Sequence, residues 1–240
     1  MTSSEISAAT AAWTAQGTEL FLSVVSRTTD ESLREDSALP GWTRAHVVAH
    51  VAANADALTN LVTWARTGEP TPMYASPEDR NRGIDEGAVL APEKLRAWAE
   101  QSSRRLLADV EALTEEQWNV TVVTAQGREI PATEIPWLRC REVFIHSVDL
   151  DSGIGWEDLP SDFIQRLLTE VSNWRAMQHQ LEGITLHASD SDWQWSSTPI
   201  DSAQRITRTS YELASWLTGR LDDNKVDWSD RQLAPLPRWL

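Results

Sequence analysis

A single cysteine, Cys140, in 240 residues excludes an internal disulfide and fits a reducing compartment. No apolar run approaches the ~18 residues of a membrane span. Met1 to Glu5 lack the basic and then apolar start of a signal peptide, so a cytoplasmic protein is expected. Bases are scarce: 21 Lys and Arg stand against 36 Asp and Glu, a formal charge of −15. No basic stripe is interleaved with aromatics, which argues against a nucleic-acid partner. An anionic small molecule would also be repelled at long range unless local arginines met it. Tyrosines number two and phenylalanines three, against thirteen tryptophans. Most of the tryptophans (Trp13, Trp64, Trp98, Trp118, Trp174, Trp216) fall at helical positions and are expected in the core. A few can wall a pocket, since indole offers a broad apolar face and one donor.

What remains is ordinary globular composition, 41% hydrophobic and 24% charged, long enough for one large domain or two smaller ones. Helical spacing of apolar residues predicts a first helix over 4–27, with Ser3 or Ser4 as cap. Leu39-Pro40-Gly41 predicts a turn, and Thr43 caps a second helix to about Arg66, ended by Gly68. Ser76-Pro77-Glu78 reads as the start of a short helix, and Pro92 opens a longer one. A possible hairpin spans Val120 to Ile130, and a last long helix runs from about Pro136 to Asp151. Four long helices with polar links predict a four-helix bundle. After Gly155 the texture changes to a helix over 161–180, short strands at 184–188, 193–195 and 203–208, and a helix from Ser210 to Leu217. The expected fold is therefore mainly α with a smaller α+β part: a bundle domain over 1–155 and a small α+β domain over 156–240.

Two patterns carry chemistry: His46-x-x-x-His50 and Glu142-x-x-x-His146. A spacing of four puts both side chains on one helical face, about 6 Å apart. Two such helices across a bundle core offer two imidazoles and one carboxylate to a single ion, a set that suits zinc with one position left open. Spacing leaves open whether His46 or His50 is the ligand. Val143, Phe144, Ile145 and Val148 surround Glu142 with apolar residues, where an unpaired carboxylate is costly. Asp149 is either a partner that orients His146 or a solvated acid near the helix end. Cys140 is a small buried apolar residue, or else a nucleophile or fourth ligand.

Gly41-Trp42-Thr43-Arg44-Ala45-His46-Val47-Val48-Ala49-His50 resembles the second-helix motif of the DinB/YfiT-like metalloproteins. Arg139 through Leu150 resembles the fourth-helix motif of the mycothiol-dependent maleylpyruvate isomerases, and Leu213 through Arg220 is similar to the signature of the small C-terminal domain found with that bundle. The three motifs occur in order across the chain. The resemblance implies that His50, Glu142 and His146 bind a divalent metal, normally zinc, with His46 a neighbour. It implies mycothiol as a thiol cofactor, Arg220 as an active-site arginine from the second domain, and Asp149 as a further site residue. Arg82, with Arg80, is a candidate for holding cofactor or substrate carboxylate.

The reaction implied is cis–trans isomerisation of maleylpyruvate to fumarylpyruvate in gentisate-type aromatic breakdown. Thiolate adds to the cis double bond, the resulting single bond rotates, and elimination restores the double bond as trans. A mycothiol S-transferase acting on another electrophile, a non-catalytic metal-binding or sensing protein with a closed site, and a zinc hydrolase are the competing readings.

Overall fold

The computed structural model describes residues 3–197, 204–221 and 235–239, with side chains from residue 10 onward. The expected cap at Ser3 or Ser4 therefore lies outside the described side chains. The chain divides into two units, Met1–Ile154 and Gly155–Leu240.

The first unit is a four-helix bundle built from α1 (Ser3–Arg27), α2 (Arg44–Thr67), α4 (Pro92–Glu111) and α6 (Ile135–Asp149), with α3 (Pro77–Ala88) laid against α2 and a single turn, α5 (Glu115–Trp118). α1 neighbours α4 and α6, and α2 neighbours the same two, so the four form a closed ring around one core. α2 is apolar on nearly every side. Ala45, Val47, Val48, Ala49, Val51, Ala52, Ala55, Leu58 and Leu61 are all buried, as befits a helix covered by three others. α4 is amphipathic: Leu95, Ala99, Leu106 and Val110 face inward and its charged residues face solvent. The hairpin between α5 and α6 pairs β1 (Thr121–Val123) with β2 (Glu129–Pro131), and its inward residues Val122 and Ile130 pack into the same core as α2. α6 ends at Asp149, two residues short of the expected Asp151, because Asp151 turns into the left-handed region (φ 48°).

Two glycines let helices approach closely. A Cβ on Gly17 of α1 would lie 2.6 Å from the Val143 side chain of α6. One on Gly87 of α3 would lie 2.8 Å from Ala49 Cβ on α2 and 2.6 Å from the Trp98 ring. Gly87 therefore seats α3 against the helix turn that carries His50.

The second unit contains α7 (Ser161–Met177), α8 (Ser210–Leu217) and a three-stranded sheet ordered β4-β3-β5. β3 (Ile184–Ala188) pairs antiparallel with β4 (Gln194–Ser196) and parallel with β5 (Gln204–Arg208), placing Leu186 between Trp195 and Ile206. The mainly helical bundle followed by a smaller α+β part matches the fold expected from periodicity. Of the six tryptophans expected in the core, Trp13 and Trp216 are buried, while Trp64, Trp98, Trp118 and Trp174 are partly exposed. An indole keeps its N–H toward a polar partner, and Trp98 Nε1 donates to Asp56 Oδ2 at 2.8 Å.

Gly87→Val should force α3 off α2 and cost about 1–3 kcal/mol. A urea unfolding midpoint equal to that of the unaltered chain would contradict the close approach.

Candidate metal centre

The first turn of α2 decides which of its two histidines is available. Thr43 is the N-cap, and His46, three residues on, turns its Nδ1 back to accept the Thr43 N–H at 3.2 Å, with the Thr43 hydroxyl 2.7 Å away. His46 is thus a capping residue, stacked on Trp42 at a ring-centroid distance of 6.2 Å. One turn further in, His50 is buried and points across to α6. Its Nε2 lies 3.0 Å from Glu142 Oε2. His146 Nε2 lies 3.3 Å from the same oxygen, and the two imidazoles meet edge to face at 4.8 Å. Trp42 closes a third side, 5.5 Å from the His50 ring.

The ligand atoms of His50, Glu142 and His146 all lie within 4.8 Å of one another. His146 Nε2 is buried and, although 3.3 Å from Glu142 Oε2, makes no hydrogen bond of good geometry, so its polar capacity is incompletely met at the point where the other two groups converge. His146 Nδ1 is held 2.8 Å from Asp149 Oδ2, which orients the ring and leaves Nε2 as the donor atom. Two imidazole nitrogens and one carboxylate oxygen, all on buried residues, are a donor set that fits a divalent metal of the zinc type and leaves one position of a tetrahedral ion without a protein ligand.

The electrostatics suit that use. Burial alone would raise the Glu142 pKa, but hydrogen bonds and charge from His146 and His50 take it well below the usual carboxylate range, so it is an anion. His50 moves below its usual 6.5 because burial outweighs the pull of Glu142. Burial also opposes protonation of His146, but its bonds to Asp149 and Glu142 prevail and raise its pKa. Arg80 of α3 brings Nη2 to 3.4 Å from His50 Nδ1. The two roles of His50 are exclusive. A ring that accepts from Arg80 at Nδ1 donates from Nε2, and one that ligates through Nε2 donates from Nδ1. Tyr74, bonded to Arg80, has its pKa pushed up to about 12, first by burial and then by the charge of Glu142. It is a protonated donor beside the centre.

The profile of the mycothiol maleylpyruvate isomerase N-terminal domain matches residues 14–151, more than half of the chain. Two solved structures match over 100% of both chains at 35% identity: the mycothiol-dependent maleylpyruvate isomerase (TM-score 0.89) and a histidine-to-alanine mutant of it (TM-score 0.90). The chain belongs to this family. A comparison with curated proteins finds no match.

Within this maleylpyruvate isomerase fold, the remaining expected site residues fall in different places. Asp149 is 1% exposed and serves His146, so the solvated alternative does not hold. Arg82 is largely exposed on the surface of α3, paired with Asp79 and 3.9 Å from Glu86; Arg80 is the arginine that meets His50. The difference is helical phase, since two residues along α3 turn a side chain by about 200°. Cys140 is fully buried in α6, its sulfur 3.1 Å from Thr14 Oγ1, on the side of the helix that faces α1. In the second unit, Arg220 follows α8 and donates to Thr218 O at 3.1 Å and Trp239 O at 2.8 Å. Sequence reasoning missed Tyr74, for which no local pattern exists, and Trp42 as a wall, although it sits one residue before the cap of α2.

The raised pKa of His146 sets a pH dependence for metal uptake, because a proton on that ring competes with the ion. Affinity should therefore climb with pH through 6.5 and continue above it, by about tenfold per pH unit for each proton displaced. Zinc titrations at pH 6, 7 and 8 check this; an affinity flat across that range would contradict a buried His146 ligand.

Proposed function

We propose that this chain catalyses the mycothiol-dependent isomerisation of maleylpyruvate to fumarylpyruvate in the cytoplasm, with zinc held by His50, Glu142 and His146. The observation that carries the reading is end-to-end likeness, at 35% identity, to the mycothiol-dependent maleylpyruvate isomerase. The three converging donors support it. A zinc ion there would supply a Lewis acid that keeps the mycothiol thiol ionised, and mycothiol would supply the sulfur nucleophile for addition and elimination.

The chain's own residues account for the rest. Cys140 is a poor nucleophile, fully buried and engaged by Thr14 Oγ1 and Thr10 O, which favours an external thiol. An ordinary thiol with pKa near 8.5 is about 3% ionised at neutral pH, so full ionisation gains at most roughly 30-fold. Positioning and stabilisation of the enolate are then the larger contributions. Arg80 and Tyr74 offer a cation and a neutral donor beside His50 for a dianionic substrate that the acidic surface otherwise repels. Asp149 holds the His146 ring in its donor tautomer. Arg220, whose planar fork suits a carboxylate or enolate oxygen, is assigned to substrate on the family resemblance.

Zinc-loaded protein should convert maleylpyruvate to fumarylpyruvate only when mycothiol is added. A product with the mass of a stable thioether would instead identify an S-transferase, and no reaction in the presence of bound zinc would overturn the proposed substrate.

Arg220→Ala should retain zinc and its far-UV spectrum while kcat falls on the order of 100-fold. A turnover near that of the unaltered enzyme would remove Arg220 from the mechanism.

A further inference from the structure

Arg139 lies on α6 one turn before Glu142 and is 1% exposed. Its Nη1 donates to Val51 O at 2.8 Å and to Asn54 Oδ1 at 3.1 Å on α2, and its Nη2 donates to Ser103 Oγ at 2.8 Å on α4. These acceptors are neutral, and Nε makes no hydrogen bond. Burial pulls the guanidinium pKa down to about 10, so it is still a cation at neutral pH. A buried cation bonded only to neutral groups, whose attraction to Glu142 does not offset its burial, is a costly way to fill a core, where an apolar side chain of similar volume usually serves as well or better.

Its placement says what that cost obtains. Val51 is the residue after His50, and Glu142 is one turn on from Arg139. One planar fork therefore joins the two ligand-bearing helices immediately beside their ligands. Apolar packing between α2 and α6 is non-directional and tolerates slippage of the helices past one another. A metal does not: its ligands must meet it within about 0.2 Å of ideal distances, whereas one residue along a helix shifts a side chain by 1.5 Å and about 100°.

We propose that Arg139 is a positioning residue for the metal centre, fixing the depth and rotation of α6 against α2 so that Glu142 and His146 converge with His50. The proposal rests on the reading of those three residues as metal ligands. The sign of the effect separates bracing from charge. A buried cation repels a divalent ion, so deleting its charge alone would tighten metal binding, whereas deleting the brace loosens it.

The test is cobalt(II) titration of the full chain by visible absorption and chelator competition, on the unaltered protein, Arg139→Met, Arg139→Lys and Ser103→Ala. Far-UV spectra and melting temperatures establish that each variant is folded. Arg139→Met should bind cobalt at least tenfold more weakly and with altered band intensities, a geometric signature that loss of global stability does not produce. Arg139→Lys keeps the charge but cannot reach all three acceptors, so it should show the same change; it decides the matter if the methionine variant fails to fold. Ser103→Ala, which removes one of three contacts, should lose less. Equal or tighter binding with the unaltered spectrum in a folded Arg139 variant would overturn the role. An unaltered chain that takes up no cobalt would overturn the metal centre and this role with it.

Discussion

A carboxylate held inside a helical bundle is the constraint around which the first unit is organised. Glu142 sits on a helix where the next three residues, Val143, Phe144 and Ile145, are all fully buried. An isolated carboxylate there would cost several kcal/mol or take up a proton. Two imidazoles, one from its own helix and one from α2, bring donors to a single oxygen and keep it charged. Each imidazole then needs its own outer partner: Asp149 for His146 and Arg80 for His50. The polar network is a chain of consequences from one buried charge.

The apolar matrix sets where that chain can run. Small residues on α2 let three helices close on it, and Gly17 and Gly87 permit the nearest approaches. Close packing of this kind buries the site but lacks direction, and the directional groups are the buried guanidiniums. Arg139 ties three helices of the bundle. Arg175, likewise fully buried, donates to Leu217 O at 3.0 Å and to Gln180 Oε1 at 2.6 Å within the second unit, and also reaches Pro237 O. Each unit thus places a cation among neutral oxygen acceptors, backbone and side-chain, at a point where helix ends or faces must be fixed.

Surface charge and site charge pull in opposite directions. The chain carries −15 overall, yet Arg80 and Arg139 stand around the centre and Tyr74 is kept protonated. Within a Debye length of roughly 8 Å the local groups dominate, so these cations, together with the carboxylates of Glu142 and Asp149, set the field at the centre more than the surface charge does.

Much of this was legible along the chain. Periodicity, the Thr43 and Ser76 caps and the prolines at helix starts located the long helices, and the i, i+4 spacings located the triad, because these are properties of a single helix repeating every 3.6 residues. Spacing could not choose between His46 and His50. The choice lies in a local bond, since His46 spends its Nδ1 on the cap of α2, and in the fold, which turns His50 toward Glu142. Nor could sequence select Arg80 over Arg82, place Tyr74 beside Glu142, or show that the fork of Arg139 spans α2 and α4. Those facts depend on how far each helix is rotated and how deep it sits against its neighbours. Local sequence determines the phase of residues within a helix; only packing among helices determines where that phase points.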